Sequence, residues 1–312
     1  MFWVKSDQAV KGFLFSYCVI ILNMKTVREC VLKAVSSKTA VGHFNISNLE
    51  GVWAVFNAAR ELKVPCIIGV SEGERNFVGV RQISAVVKTL REQFDFPIFL
   101  NADHTYSVDK VKEALDAGFD SVIFDGTELP FEENVKATRE CVVYARSLGR
   151  DVIVEAELGF IGKSSKILDG IPAGVKISEE FLTKPDEALR FVSETGIDML
   201  APAVGNIHGM LSGGVDPALN IGRIKEIHDA VKIPLVLHGG SGNSAEDISS
   251  AIASGVGVVH INTELRVAYR KALALSLQEN PEEIAPYKYL KGPLQAMQKA
   301  VSDKLKIFNN FA

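Results

Sequence analysis

Residues 97–126, PIFLNADHTYSVDKVKEALDAGFDSVIFDG, constrain the fold more than any other stretch of the chain. An apolar run, Ile98, Phe99 and Leu100, ends abruptly at Asp103-His104, a helical pattern follows, and a second apolar run, Val122 to Phe124, ends at Asp125-Gly126. Two nearly continuous apolar strands joined by one helix make a parallel βαβ unit covered on both faces. Functional groups in such units gather at the carboxyl ends of the strands. An Asp beside a His there also fits a plain ion pair capping the sheet, so the remainder of the chain has to decide between the two.

The same alternation runs on from residue 40. Strands are expected at 40–45, 65–70, 97–102, 120–125, 151–157, 198–204, 233–238 and 257–262, and Pro65, Pro97 and Pro234 sit at strand entrances, where a missing backbone donor does least damage. Eight parallel strands with intervening helices imply an α/β fold, a closed (β/α)8 TIM barrel, and 312 residues suit one such domain over 24–312. Extra C-terminal helices are expected over 281–311, where Leu290, Leu294, Met297, Val301 and Leu305 recur at helical spacing as core or as a subunit contact. Residues 1–23 form a short N-terminal extension. Lys5 and Lys11 precede an apolar run over 12–22 that loosely mimics a signal peptide, but no small-residue cleavage site follows and the run is too short to span a bilayer. The extension is therefore expected to lie outside the functional fold.

A net charge of -4 gives no clustered cation for nucleic acid or an anionic membrane. Cys18, Cys30, Cys66 and Cys141 form no CxxC pair and read as reduced structural thiols of a cytoplasmic protein.

The expected strand exits carry His43, Asn45, Ser71, Asp103, His104, Asp125, Glu155, Glu157, Asn206, His208, His238, His260 and Asn262, and of six histidines only His228 falls elsewhere. His104, His208 and His238 are each expected in a tight turn directly after a strand, two of them followed by Gly209 and Gly239. Three imidazoles with an open fourth position describe catalytic zinc, which polarises a carbonyl or enediolate oxygen. Asp125 and Glu157 fit either as acceptors that orient the histidines or as ligands of a second metal position. Gly239-Gly240-Ser241-Gly242 after strand seven, and Asn262-Thr263 opening a helix after strand eight, place backbone donors where barrels often hold phosphate. No expected strand contains lysine, which argues against a Schiff base on the barrel wall. Residues 160–176 form a long polar connection at the catalytic face.

The motifs GHFNISNLE, LNADHTYSVDKVKEALDAGFDSVIFDGTELPFEENV, VEAELGFIG, VGNIHGM, PLVLHGGSG and HINTELRVAY, spread from about Met24 to the C-terminus, together resemble those of the class II, zinc-dependent fructose-bisphosphate and tagatose-bisphosphate aldolases. The resemblance implies a cytoplasmic homodimer or homotetramer of carbohydrate metabolism. Its reaction would be reversible cleavage of a ketose bisphosphate, fructose 1,6-bisphosphate foremost, to dihydroxyacetone phosphate and glyceraldehyde 3-phosphate, with zinc stabilising the enediolate. By motif, Asp103 would exchange a proton with the aldehyde-derived hydroxyl, His104, His208 and His238 would bind zinc, and Asp125 and Glu157 would form the second metal position. Gly209, Gly239, Gly240, Ser241, His260, Ile261, Asn262 and Thr263 would cradle dihydroxyacetone phosphate, where Na+ or K+ often assists. Asn45 and Ser71 fall on further substrate contacts. Arg266 matches a distal-phosphate residue that commonly reaches into a neighbouring subunit's site.

Three positions and one connection depart from the family pattern. His260 stands where an Asn is usual, His43 where a small residue is usual, and Asn262 is neither the Asp of fructose-type nor the Ala of tagatose-type enzymes. The connection 160–176 lacks the Glu that commonly takes the proton from dihydroxyacetone phosphate and contains only Asp169 as an acid, which leaves the base unassigned. These departures keep open an aldolase of another sugar phosphate, whether tagatose 1,6-bisphosphate or a ketose monophosphate. The resemblance also admits a non-catalytic subunit that stabilises a partner aldolase, a role that loss of the zinc ligands would favour, whereas all three are present.

Overall fold

The structure is a computed structural model that describes residues 24–163, 165–172, 174–213 and 216–311, so the expected extension lies outside the described residues. Eight parallel strands close a barrel: β1 (Val41–Asn45), β2 (Cys66–Val70), β3 (Ile98–Thr105), β4 (Ser121–Phe124), β5 (Ile153–Leu158), β6 (Met199–Pro202), β7 (Leu235–Leu237) and β8 (Val256–Ile261). Each pairs with its sequence neighbour, and β8 closes on β1 with His43 beside His260. Every expected strand forms, and none contains lysine.

Period-two alternation explains how the barrel interior is divided. At the strand starts the inward residues are apolar: Val41, Ile67, Phe99, Ile153, Met199, Val236 and Val258. Helix α1 (Val27–Ser36) closes this end with Val27, Cys30, Val31 and Ala34. A capping box between Thr26 and Glu29 starts that helix, and Arg28 ties it to Asp151 at 2.8 Å and Asp198 at 2.7 Å. Two residues further along the same strands the inward positions become polar, as His43, Asn101, Glu155, His238 and His260, and then Asn45, Asp103 and Glu157, all buried. Each buried apolar side chain contributes about 1.5–3 kcal/mol, and that lower layer offsets the cost of burying imidazoles and carboxylates above it.

Two local expectations need correction. Strand β3 does not stop at Ala102. Its pairing with β4 slips between Ala102 and Thr105, so Asp103 and His104 lie at an irregularity within the strand, and His104 takes a φ of +34°. His208 does not follow its strand directly either. It sits in the loop well past Pro202, where the His208 backbone N–H donates to Ile161 O at 2.8 Å. The connection over 160–176 is also more ordered than a plain loop, because Ile167–Leu168 pairs in parallel with Met210–Leu211, tying the loop after β5 to the loop after β6.

The C-terminal segment forms two helices, Pro286–Tyr289 and Lys291–Phe308. Met297, Val301, Leu305 and Phe308 are buried in the main core, so the apolar stripe packs within the chain. Cys30, Cys66 and Cys141 are buried free thiols. Among the described residues no helix is long and apolar enough to cross a membrane.

Candidate active site

A cavity of about 320 Å3 opens at the carboxyl ends of the strands, within the size range of small-molecule sites. Of the sequence candidates, Asn45, Ser71, His104, His208, Gly209, Gly239, Ser241, His260, Asn262, Thr263 and Arg266 line it. Asp103, Asp125, Glu157 and His238 lie buried and bond to or contact its wall. Gly240 and Ile261 do not line it. The Ile261 side chain points away from the barrel axis into the outer core, as the alternation with inward His260 requires, and Gly240 packs its backbone N–H against His260 O.

The rings of His104, His208 and His238 converge with centroids 4.6, 5.1 and 5.6 Å apart, and one ligand atom of each lies within 4.8 Å of the others. Each has one nitrogen engaged by an acceptor. His208 Nδ1 faces the carbonyl of Gly162, which can only accept, so this nitrogen carries the proton. His104 Nδ1 faces Asp125 Oδ2 at 3.1 Å and Glu157 Oε1 at 2.9 Å. His238 Nε2 donates to Glu155 Oε1 at 2.7 Å, and its buried Nδ1 faces Glu157 Oε1 at 3.3 Å. Metal-bound histidines need their rings oriented by acceptors, which all three have here, with one ligand atom of each within reach of the others. The residues therefore fit a divalent ion. Asp125 and Glu157 with His104 form a second group with ligand spacing, so both of their expected roles have geometric support.

Electrostatics separate the three imidazoles. Burial alone would lower His104, but Asp103 and Glu157 beside it, with hydrogen bonds to Asp125 and Glu157, raise it well above its ordinary value. Burial likewise lowers His238, and the nearby Glu157 and Glu155 overcome this to push it up to about 10. Burial, reinforced by cationic His104, pushes His208 down to about 4.

Asp103 lies buried behind the cavity wall, against the lining residues Asn45, His104 and His260. Its Oδ2 accepts from Asn45 Nδ2 at 2.8 Å, and its buried Oδ1 has no hydrogen bond, lying 3.8 Å from His104 Nε2 and 3.6 Å from His260 Nδ1. Burial pushes its carboxyl up, but His104, His260 and His43 around it hold it well below the usual carboxylate range. It is ionised at neutral pH.

Two departures from the family pattern prove to be one feature. The His43 and His260 rings stack at 3.5 Å and 5°, and His260 in turn stacks on His238 at 4.2 Å. His43 Nε2 donates to Asn101 Oδ1 at 3.2 Å, and burial pushes its pKa down to about 4, which keeps it neutral. Gly69 makes room for the stack, since a Cβ there would come within 2.1 Å of His43 Cε1.

The phosphate candidates lie together at the wall. Gly239 has φ +69°, and a Cβ on it would meet Ile207 O at 2.0 Å, so the backbone approaches closely only as glycine. Ser241 Oγ accepts from the backbone N–H groups of Asn262 at 3.3 Å and Glu264 at 3.4 Å, at the start of the helix Thr263–Glu279. Arg266 lines the cavity of its own chain.

Sequence reasoning placed Glu155 at a strand exit without a role, although it shares the inward face of β5 with Glu157, and it missed other participants. Lys163, Ser165 and Lys166 reach the cavity from the loop after β5, while Asp169 does not line it. The carboxylic residue on the cavity wall is instead Glu72, whose Oε1 accepts from Tyr106 N at 3.0 Å.

A family model described as fructose-bisphosphate aldolase class-II matches residues 25–311. The chain is 38% identical over 292 residues to a fructose-bisphosphate aldolase of Geobacillus stearothermophilus, covering 93% of this chain and 98% of that relative. It is 38% identical over 288 residues to a fructose-bisphosphate aldolase of Staphylococcus aureus, covering 91% and 96%. Among solved structures, the YdjI aldolase of Escherichia coli K12 superposes with a TM-score of 0.76 at 32% identity, covering 90% of this chain and 96% of that one.

Proposed function

Since the chain belongs to the class-II fructose-bisphosphate aldolase family and is a carbon-carbon lyase, we propose that its substrate is a ketose bisphosphate, fructose 1,6-bisphosphate foremost. The products are dihydroxyacetone phosphate and glyceraldehyde 3-phosphate. One observation carries this reading: three histidines at ligand spacing beside an ionised Asp103, under a cavity that joins a backbone anion cradle to the cations Arg266, Lys163 and Lys166.

His104, His208 and His238 would hold zinc, which supplies Lewis-acid stabilisation of the enediolate oxygen. In cleavage the Asp103 carboxylate accepts the proton of the aldehyde-half hydroxyl, and in condensation it returns that proton. Asn45 fixes the carboxylate for both directions. Glu155, Asp125 and Glu157 orient the imidazoles, and the last two also offer a second cation position. Gly209, Gly239, Ser241 and Thr263 receive the dihydroxyacetone phosphate group, with Na+ or K+ beside it. A cytoplasmic homodimer or homotetramer belongs to the same reading.

Substrate choice is tested at Arg266. Arg266→Ala removes a charge-assisted phosphate contact of about 1.5–3 kcal/mol, which lowers kcat/KM for the bisphosphate roughly 10- to 150-fold. A ketose 1-phosphate without the distal group should be nearly indifferent. Equal losses on both substrates, or none, would show that Arg266 does not read a distal phosphate and would favour a monophosphate substrate.

A further inference from the structure

Glu74 links two parts of the cavity that cleavage must keep in register. It is buried, 5% exposed, in the first turn of the helix Glu72–Val78. Its Oε2 accepts from Ser71 N at 2.8 Å, Ser71 Oγ at 2.9 Å and Asn45 Nδ2 at 2.9 Å. Its Oε1 accepts from Ser47 Oγ at 3.4 Å and from Arg266 Nη2. The same Asn45 nitrogen donates its second hydrogen to Asp103 Oδ2 at 2.8 Å. Asn45 thus spans two carboxylates, and the opposite amide orientation would turn its oxygen toward both.

The charge at Glu74 is not explained by the helix. The capping box that Glu74 makes with Ser71 works equally well with Gln, whereas a buried carboxylate is costly unless a cation answers it. Arg266 is that cation, and it arrives from a helix far away in sequence with its side chain still 41% exposed on the cavity.

We propose that Glu74 is a positioning residue for the aldehyde half of the substrate. Through Asn45 it sets the Asp103 carboxylate that exchanges the hydroxyl proton, and through Arg266 it sets the cation that receives the distal phosphate. The Arg266 arm rests on the bisphosphate reading above. The Asp103 arm does not.

The test uses the full-length metal-loaded protein and separates cleavage from a half-reaction, the exchange of a dihydroxyacetone phosphate C–H proton with solvent. That exchange involves neither arm. Glu74→Gln keeps the cap and an acceptor for Asn45 but removes the charge facing Arg266. It should keep metal content and exchange within about twofold of wild type, lower kcat/KM for the bisphosphate about tenfold or more, and change a ketose 1-phosphate little. In an Arg266→Ala background the same change should add nothing for the bisphosphate. Glu74→Ala, which also releases Asn45, should slow cleavage of both substrates while sparing exchange. Equal losses on both substrates in Glu74→Gln, additivity with Arg266→Ala, or exchange falling along with cleavage would overturn the proposal, and the Glu74→Gln cycle decides it should Glu74→Ala fail to fold. A wild-type enzyme that cleaves the two substrates equally would refute the bisphosphate reading alone. Glu74 would then stand if Glu74→Ala slows cleavage and spares exchange, and fall if it does not.

Discussion

Replacing Asp103 by alanine lowers cleavage turnover by roughly two to four orders of magnitude, the range expected for losing general acid-base catalysis, while bound metal stays near the wild-type level. The geometry separates the two effects. Asp103 Oδ1 lies 3.8 Å from His104 Nε2 and makes no hydrogen bond to any histidine of the triad, so no imidazole depends on it for orientation. His104 is different, since it belongs to the cluster with ligand spacing that it forms with His208 and His238. His104→Ala loses metal along with activity. Parallel metal analysis and steady-state kinetics on both variants check this, and full activity in Asp103→Ala would transfer the proton to His260, whose Nδ1 is 3.6 Å from the carboxylate.

Glu155→Gln weakens metal binding about 10- to 100-fold, the usual cost of removing the acceptor that orients a ligating imidazole. The pH dependence gives the effect a signature. With the divalent ion stripped, His104 and His238 hold their protons at neutral pH, His104 because Asp103 and Glu157 outweigh burial, and His238, at about 10, because Glu157 and Glu155 do. An incoming ion must displace those protons, so apparent affinity climbs as pH rises through the neutral range. Removing the Glu155 charge lowers the His238 pKa and makes that climb shallower. Competition with a chromophoric chelator between about pH 6 and 9, the range where His protonation responds to such shifts, measures both. A wild-type affinity independent of pH would contradict the argument.

The barrel was legible because strands buried on both faces must be apolar almost throughout, and helices between them follow a different period. The convergence of His104, His208 and His238 was legible for a partly mistaken reason. His238 does follow β7, but His104 lies within β3 and His208 is brought in by a backbone contact to the loop after β5 that sequence spacing does not encode. The reach of Lys163 and Lys166 depends on pairing between Ile167–Leu168 and Met210–Leu211, elements too short to leave a periodic trace. Motif transfer also carried Ile261 into the site, although strict alternation after inward His260 sends its side chain outward. His43 and His260 read as two separate oddities in the sequence. Their stacking and the need for Gly69 appear only when β1, β2 and β8 lie side by side.

The central claim is that His104, His208 and His238 hold a divalent ion on which carbon-carbon cleavage depends, with no lysine adduct. Purified full-length protein should be assayed for bound metal and for cleavage of fructose 1,6-bisphosphate before chelation, after chelation and after zinc is returned, with borohydride added to a parallel sample containing substrate. The predicted result is copurifying zinc or a similar divalent ion, loss of cleavage on chelation, recovery with zinc, and no inactivation by borohydride. Cleavage that survives complete metal removal, or a trapped adduct between substrate and a lysine, would contradict it.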